Sequence, residues 1–486
     1  MDKIDNMSRG TIITEEKLPA IRKIAYGVAY IGNLSLSQIA LGGAVTFFYN
    51  IKMGLEPYWT GLAWIIFAIW NALNDPILGI LEDRTKSRWG RRVPYLRFGA
   101  PFYAISFVLM WFPFFTASQT GLFFSFLLNL FVFDTLYSMI GLITYGLPAE
   151  MAVTAKARSN LIMVGAFISA IGSVIALVLP MVLLTGDESS TLNPVFRPTM
   201  IGLAIFSMSC LIWASFHIKE NKYTQNENAL PLFKSVTETF KNIPFLIFEG
   251  ANFFYTIAQT IIFTGLFYFN EYVLNIGGIQ SSLPLLLIYA FSLVFTLMWN
   301  KLNQRFGLKK VFIIALILCI LSGTVAFFVG QSYYPAMIVL IIFGIGYGGI
   351  SLNQGSINAD VIDFDELKTG KRRETTYSGI NALITKPGIS IANALFLFII
   401  QSFGFPPNID ELAVYVATES VKLGIMIGFT IIPAIVFAVA LIFMLFYPLD
   451  GPDWEKEKKK ILDIHLKKEQ DYLKTLQEEH GDRLKS

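Results

Sequence analysis

Apolar stretches long enough to cross a bilayer, about 20 residues each, begin near Ile24, Trp59, Arg97, Gly121, Leu161, Met200, Pro244, Ser282, Val311, Ala336, Tyr377 and Leu423. The pattern predicts an all-α multi-pass membrane protein of twelve transmembrane helices. Most breaks between them are short, as from Asn50 to Pro57. The exception starts at Lys219 and runs through Asn221, Gln225, Asn226 and Asn228 to Pro231, a polar, Asn-rich segment that divides six helices from six. The expected organisation is an N-terminal segment over 1–20, a six-helix bundle over 21–218, a linker over 219–242, a second six-helix bundle over 243–449 and a tail over 450–486. The halves also echo each other. Arg88-Trp-Gly-Arg-Arg-Val after helix 2 and Arg305-Phe-Gly-Leu-Lys-Lys-Val after helix 8 occupy corresponding places, as an internal repeat would.

The distribution of charge adds an orientation. Arg84, Lys86, Arg88, Arg91 and Arg92 follow helix 2, Lys156 and Arg158 follow helix 4, Arg305, Lys309 and Lys310 follow helix 8, and Lys368, Lys371, Arg372 and Arg373 follow helix 10. Short basic loops stay in the cytosol. The alternate loops carry Asp187, Glu188, Asp410, Glu411 and Glu419, with Lys52, Arg197 and Lys422 against the trend. Both termini are therefore expected in the cytosol and the protein in the cell membrane. The N-terminus lacks the short apolar region and cleavage site of a signal peptide, so the first helix is expected to be retained. In the tail, Trp454, a lysine-rich run over 456–460, then Ile461, Leu462, Ile464 and Leu466 predict an amphipathic helix lying on the membrane surface.

Composition excludes a soluble fold: 54% of the residues are hydrophobic and 15% charged, too much apolar surface for one aqueous core. A net charge of +3 gives no reason to expect a nucleic-acid partner. Cys210 and Cys319 lie in apolar runs and read as packing residues. His217, His465 and His480 sit at a helix end or in the tail, which argues against an imidazole proton relay. No nucleophile elbow, phosphate loop or HExxH motif is present, so neither an enzyme nor a resident cofactor is expected.

Candidate chemistry concentrates in helix 2, in Trp70-Asn-Ala-Leu-Asn-Asp75-Pro. Asn71 and Asp75 are one turn apart and share a face, with Asn74 on the adjacent stripe. Pro76 lacks an N–H and frees the carbonyl of Ala72. A carboxylate, amide oxygens and a spare carbonyl suit a hard cation; Asp75 alone would instead take a proton. A charged aspartate at membrane depth costs roughly 3 kcal/mol on insertion scales, which makes it a functional candidate. Lys386, in the apolar run Ile384-Thr-Lys-Pro-Gly-Ile-Ser, needs an acid opposite it, Asp75 or Asp134. The run Asp360, Asp363, Asp365, Glu366 lacks the spacing of a calcium loop, and no metal beyond a transported cation is expected. With Arg372 close behind, it predicts a cytosolic salt-bridge gate: Asp360, Asp363 and Arg372 on one side, Arg84, Arg88 and Arg91 on the other. Polar residues of helices 1, 7 and 10, among them Asn33, Gln38, Tyr255, Gln259 and Asn353, can line a cavity for a polyol or sugar or can bond helix to helix.

The helix 2 segment together with Asp83-Arg-Thr-Lys-Ser-Arg-Trp-Gly-Arg-Arg-Val-Pro-Tyr resembles the helix 2 and loop 2–3 signature of the glycoside-pentoside-hexuronide:cation symporters, the melibiose-permease branch of the major facilitator superfamily. Ala359-Asp-Val-Ile-Asp-Phe-Asp-Glu-Leu-Lys-Thr-Gly-Lys-Arg-Arg-Glu374 and Lys386-Pro-Gly resemble that family's loop 10–11 and helix 11. The resemblance implies the major facilitator fold and secondary active transport: cation-coupled symport of a small sugar or glycoside by alternating access, by a monomer in the bilayer, with sodium or a proton as co-substrate. Two departures stand out. The family usually has two aspartates a turn apart on helix 2, where this chain has Asn71 and Asp75. Its sugar-binding aspartates on helices 1 and 4 correspond to Asn33 and Gly141. Asp134, two turns from Gly141 along helix 4, is a substitute acid, with Lys386 and Tyr137 as candidate partners. A lysolipid or other amphiphile carrier of the same fold and a non-transporting membrane receptor are the alternatives.

Overall fold

A computed structural model describes residues 16, 18–85, 87–152, 154–186, 192–219, 237, 239–370, 373–406 and 416–465. Most of the expected N-terminal segment and linker, Lys86, Arg372, the side chain of Arg84 and the tail beyond 465 lie outside them. Among the described residues, twelve apolar spans follow the order expected. They are α1 (Ala20–Ala40, resumed at Gly43–Phe47), α2 (Pro57–Arg84), α3 (Val93–Met110), α4 (Gln119–Met151), α5 (Ala155–Leu184) and α6 (Phe196–His217). The second half comprises α7 (Ile243–Tyr268), α8, α9 (Leu308–Val329), α10 (Tyr333–Thr369), α11 (Glu374–Ser402) and α12 (Glu419–Met426, resumed at Ile432–Leu445). Span α8 is bent by 44° between Ser282–Val294 and Thr296–Phe306. The helices are long and apolar enough to cross a membrane, and exposed side chains such as Phe102, Leu297 and Phe328 suit a lipid-facing surface.

The internal repeat is visible in backbone detail. Span α1 ends in a π-helical turn, Phe48–Lys52, and α7 ends in another, Phe269–Val273. Each turn carries an asparagine that reaches past the helix end: Asn50 Nδ2 donates to Leu55 O at 2.9 Å, and Asn270 Nδ2 to Ser281 O at 2.8 Å. The two basic loops repeat as well. Gly90 between α2 and α3 has φ +107° and Gly307 between α8 and α9 has φ +86°, a region glycine enters without the Cβ penalty.

The two bundles meet where α2 packs against α11, α1 against α7 and α5 against α8. Away from the basic loops this interface is shut by buried hydrogen bonds. Asn393 Oδ1 accepts from both Thr46 Oγ1 and Thr264 Oγ1 at 2.8 Å, and Thr46 accepts from Trp64 Nε1 at 3.1 Å. Tyr268 OH donates to Asn50 Oδ1 at 2.9 Å, and Thr185 bonds Ser281 at 2.7 Å. At the basic-loop end the bundles touch through Ser378 Oγ and Tyr145 OH, at 3.0 Å. Around it, a Cβ added to Gly79 of α2, Gly355 of α10 or Gly379 of α11 would meet nothing within 4 Å. The buried hydrogen bonds between the bundles described above lie away from the basic loops, and the Ser378–Tyr145 contact at the basic-loop end is exposed.

Asn393→Leu would strip two buried hydroxyls of their acceptor, at about 1–3 kcal/mol for each unsatisfied group. The closed end should open more often. A cysteine placed at Ser281, buried at the same end but not bonded to Asn393, should then react faster with an impermeant maleimide applied from that side; an unchanged rate would show that the Asn393 bonds do not hold this end shut.

The described part of the tail, a helix over 451–465, differs from the expected surface helix. Trp454 and Ile461 are buried, and Trp454 sits edge-on to Phe364 of α10 at 6.0 Å. Its apolar stripe therefore covers the end of α10, while Leu462 and Ile464 remain exposed.

Candidate functional site

Span α2 runs unbroken through Pro76 and points one polar face at α11. Lys386 Nζ lies 2.5 Å from Asp75 Oδ1, an ion pair that joins the two bundles within the apolar spans. Asn71, one turn earlier, donates through Nδ2 to the backbone carbonyl of Lys386 at 3.2 Å. The shared face expected of Asn71 and Asp75 thus converges on a single residue of the opposite bundle. Asn74 turns the other way: its amide donates to the carboxylate of Asp134 on α4 and contacts the Asp134 carbonyl at 3.4 Å.

Span α4 supplies the rest. Ser138 Oγ accepts from Lys386 Nζ at 2.8 Å, and the lysine ammonium stands 5.2 Å from the ring centroid of Tyr137, in cation–π range. Asp134, fully buried, lies within electrostatic reach of both Lys386 and Asp75. Two carboxylates against one ammonium leave the cluster one negative charge in excess when all three are ionised. Among the described residues, Asn71 Oδ1, Asn74 Oδ1 and Asp134 Oδ1 are buried and accept no hydrogen bond. A hard monovalent cation is the ligand such a set of oxygens would take.

The sugar-type positions lie beside this cluster. Asn33 donates to Thr144 Oγ1 at 3.3 Å, and its Oδ1 is unpartnered. An ideal Cβ on Gly141 would stand 3.8 Å from Asn33 Nδ2 and 3.5 Å from the Tyr137 ring, so the two positions face each other. Gln38 is half-buried with Oε1 unpartnered. The C-terminal residues are engaged within their own bundle. Tyr255 OH meets Ser351 Oγ at 3.4 Å, Gln259 donates to Tyr347 OH at 3.3 Å, and Asn353, fully buried, donates to Gly349 O at 2.8 Å.

Partners of the expected gate residues that the structure describes lie in the same bundle or in the tail. Arg91 and Arg92 both bind Glu150 of α4, the latter at 3.2 Å, and Arg88 lies over Trp89 at 4.3 Å. Asp360 accepts from Trp454 Nε1 at 2.9 Å and pairs with Lys458 at 2.7 Å, both in the tail helix. Asp365 is held by Arg373. Asp363 converges with Glu366 and His465, their ligand atoms within 4.8 Å of one another.

Sequence reasoning missed Ser138, Glu150 and Asn393. Ser138 was signalled by its place four residues after Asp134 and three before Gly141, on one helical face. The partners of Glu150 and Asn393 depend on tertiary contact and leave no local trace.

The family description MFS/sugar transport protein matches residues 26–451. An uncharacterised symporter of Synechocystis sp. is 23% identical, the match covering 90% of this chain and 95% of the relative. The isoprimeverose transporter of Lactiplantibacillus pentosus is also 23% identical, with 95% and 94% covered. Among solved structures, a D-xylose–proton symporter superposes with a TM-score of 0.63 at 14% identity, over 88% of this chain and 98% of that one. At that identity the likeness shows the fold.

Proposed function

We propose, for a chain that belongs to the MFS/sugar transport protein family, that it carries a sugar or glycoside across the cell membrane together with a monovalent cation, and that Asp75 and Lys386 are the coupling pair. The family consists of transporters, and the expected major facilitator fold is the one found. The relatives are named symporters and sugar transporters, which does not favour a lysolipid carrier or a receptor.

The observation that carries this reading is the ion pair between bundles, 2.5 Å long, bordered by buried amide and carboxylate oxygens without partners. Lys386 neutralises Asp75 in the state whose buried hydrogen bonds between the bundles lie away from the basic loops. With the basic loops in the cytosol, that is a state sealed on the outer side. A cation entering the oxygens of Asp75, Asn71, Asn74, Ser138 and Asp134 competes with the ammonium and loosens the tie between α2 and α11. The excess negative charge favours that entry. Solute binds beside Asn33, Gly141, Tyr137 and Gln38, and its occupancy with the cation selects the state that closes inward. In that state the arginines of loop 2–3 and the acids of α10 approach one another and exchange partners across the bundles, the gate expected from the sequence.

Linkage gives the test. If cation and solute share one conformational cycle, each tightens the other by the same factor. Binding of isoprimeverose and a panel of other glycosides to the purified protein, followed by tryptophan fluorescence, should strengthen at least about fivefold, the lower end of ordinary coupling energies, when sodium replaces choline or when the pH is lowered. Affinity for every glycoside that ignores both cations, or tight cation-independent binding of lysolipid, would refute this reading.

A further inference from the structure

We propose that Glu249 of α7 is a second ion-coupling site, which takes one proton and is separate from the Asp75–Lys386 pair. It rests on the reading of the chain as a coupled transporter. Glu249 is 1% exposed, and neither carboxylate oxygen makes a hydrogen bond among the described residues. It lies two turns into α7, facing the interior of the C-terminal bundle.

Among the described residues, no cation of the elements packed around it pairs with it. Asn252, one turn on, is its polar neighbour, but the Asn252 amide donates to Asn381 Oδ1 of α11 at 3.3 Å while its oxygen accepts from Gln354 of α10. On α11, Tyr377 OH accepts from Asn242 Nδ2 at 2.8 Å, and Lys386 is committed to Asp75. On α10, Tyr347 accepts from Gln259, Asp360 is held by the tail helix and Asp365 by Arg373. Span α12 places the Phe443 ring against Gly250, with the buried Tyr447 hydroxyl beyond it. Lys241, at the exposed start of the segment, lies eight residues back.

A carboxylate in these surroundings would be a buried charge without compensation, a state far costlier than the neutral acid. Glu249 is therefore held as the carboxylic acid here, with one proton bound. Its surroundings also lead to the coupling pair. Asn381 Oδ1, which accepts from Asn252, accepts from Thr385 Oγ1 at 3.1 Å, and Thr385 precedes Lys386. Rearrangement of α11 when Lys386 leaves Asp75 moves Asn381 and with it the cover of Glu249. Water then reaches the acid, and the proton leaves to that water. The chemistry suits a proton and not sodium, because a single carboxyl beside an amide already bonded elsewhere provides too few oxygens for a metal cation.

Infrared difference spectroscopy of the full chain in lipid, titrated from acid to alkaline pH, reads the site without a transported solute. The parent should show the carbonyl stretch of a protonated carboxyl at neutral pH. Glu249→Gln should lose that band, and Asp75→Asn should keep it. A band unchanged in Glu249→Gln would overturn the proposal. Should Glu249→Gln fail to fold, Glu249→Asp keeps a titratable group at the site: a shifted band supports the assignment and an unmoved one refutes it. Persistence of the band together with cation-independent glycoside affinity would leave Glu249 a proton site while removing the Asp75 reading, so the two failures are distinct.

Discussion

Asp75→Asn should abolish concentrative uptake while leaving the protein folded and able to exchange solute across the membrane. The substitution keeps shape and removes one charge. Lys386 then still has the Ser138 hydroxyl at 2.8 Å and the charge of Asp134 within reach, so no ammonium is stranded. What disappears is the carboxylate for which cation and lysine compete. Accumulation in proteoliposomes under an imposed cation gradient should fall at least about tenfold, the consequence of losing about 1.4 kcal/mol of differential cation binding, whereas solute counterflow without a gradient should persist. Equal loss of both would mean that Asp75 serves the fold or the solute site and not coupling.

Lys386→Ala should be the more damaging change, because the pair is not symmetric. Removing the lysine leaves Asp75, 5% exposed, and Asp134, fully buried, with no ammonium between them. Breaking a buried pair from one side typically costs about 3–5 kcal/mol, much of it the desolvation of the charge left behind. Thermal unfolding of the purified variant should shift down clearly in cation-free buffer and recover in part when sodium is added or the pH is lowered, since either supplies the missing positive charge. The double variant Lys386→Ala, Asp75→Asn should recover much of the loss without any cation. A Lys386→Ala protein as stable as the parent in cation-free buffer would show that the ammonium does not neutralise this cluster.

The order and number of the helices were legible because span length and hydropathy are local properties. So was the face shared by Asn71 and Asp75, which needs only helical periodicity, and the need of Lys386 for an acid, which needs only the cost of a charge at membrane depth. The choice between Asp75 and Asp134 was not legible. It depends on how α2, α4 and α11 meet, and the structure divides the roles: Asp75 takes the ammonium and Asp134 takes the amide of Asn74. The gate could not be read for a related reason. A row of acids and a row of arginines carry no information about which state pairs them, and here Glu150 binds Arg91 and Arg92 while the tail helix binds Asp360. The tail itself has an amphipathic pattern that fits either lipid or protein, and only the burial of Trp454 and Ile461 on α10 distinguishes the two.

The most direct measurement is uptake of a glycoside that the purified protein binds, isoprimeverose first, into proteoliposomes under a sodium gradient, a proton gradient or neither, each imposed separately. Accumulation above the external concentration is expected under at least one of the two gradients, and simple equilibration with neither. Equilibration alone under all three conditions would contradict it.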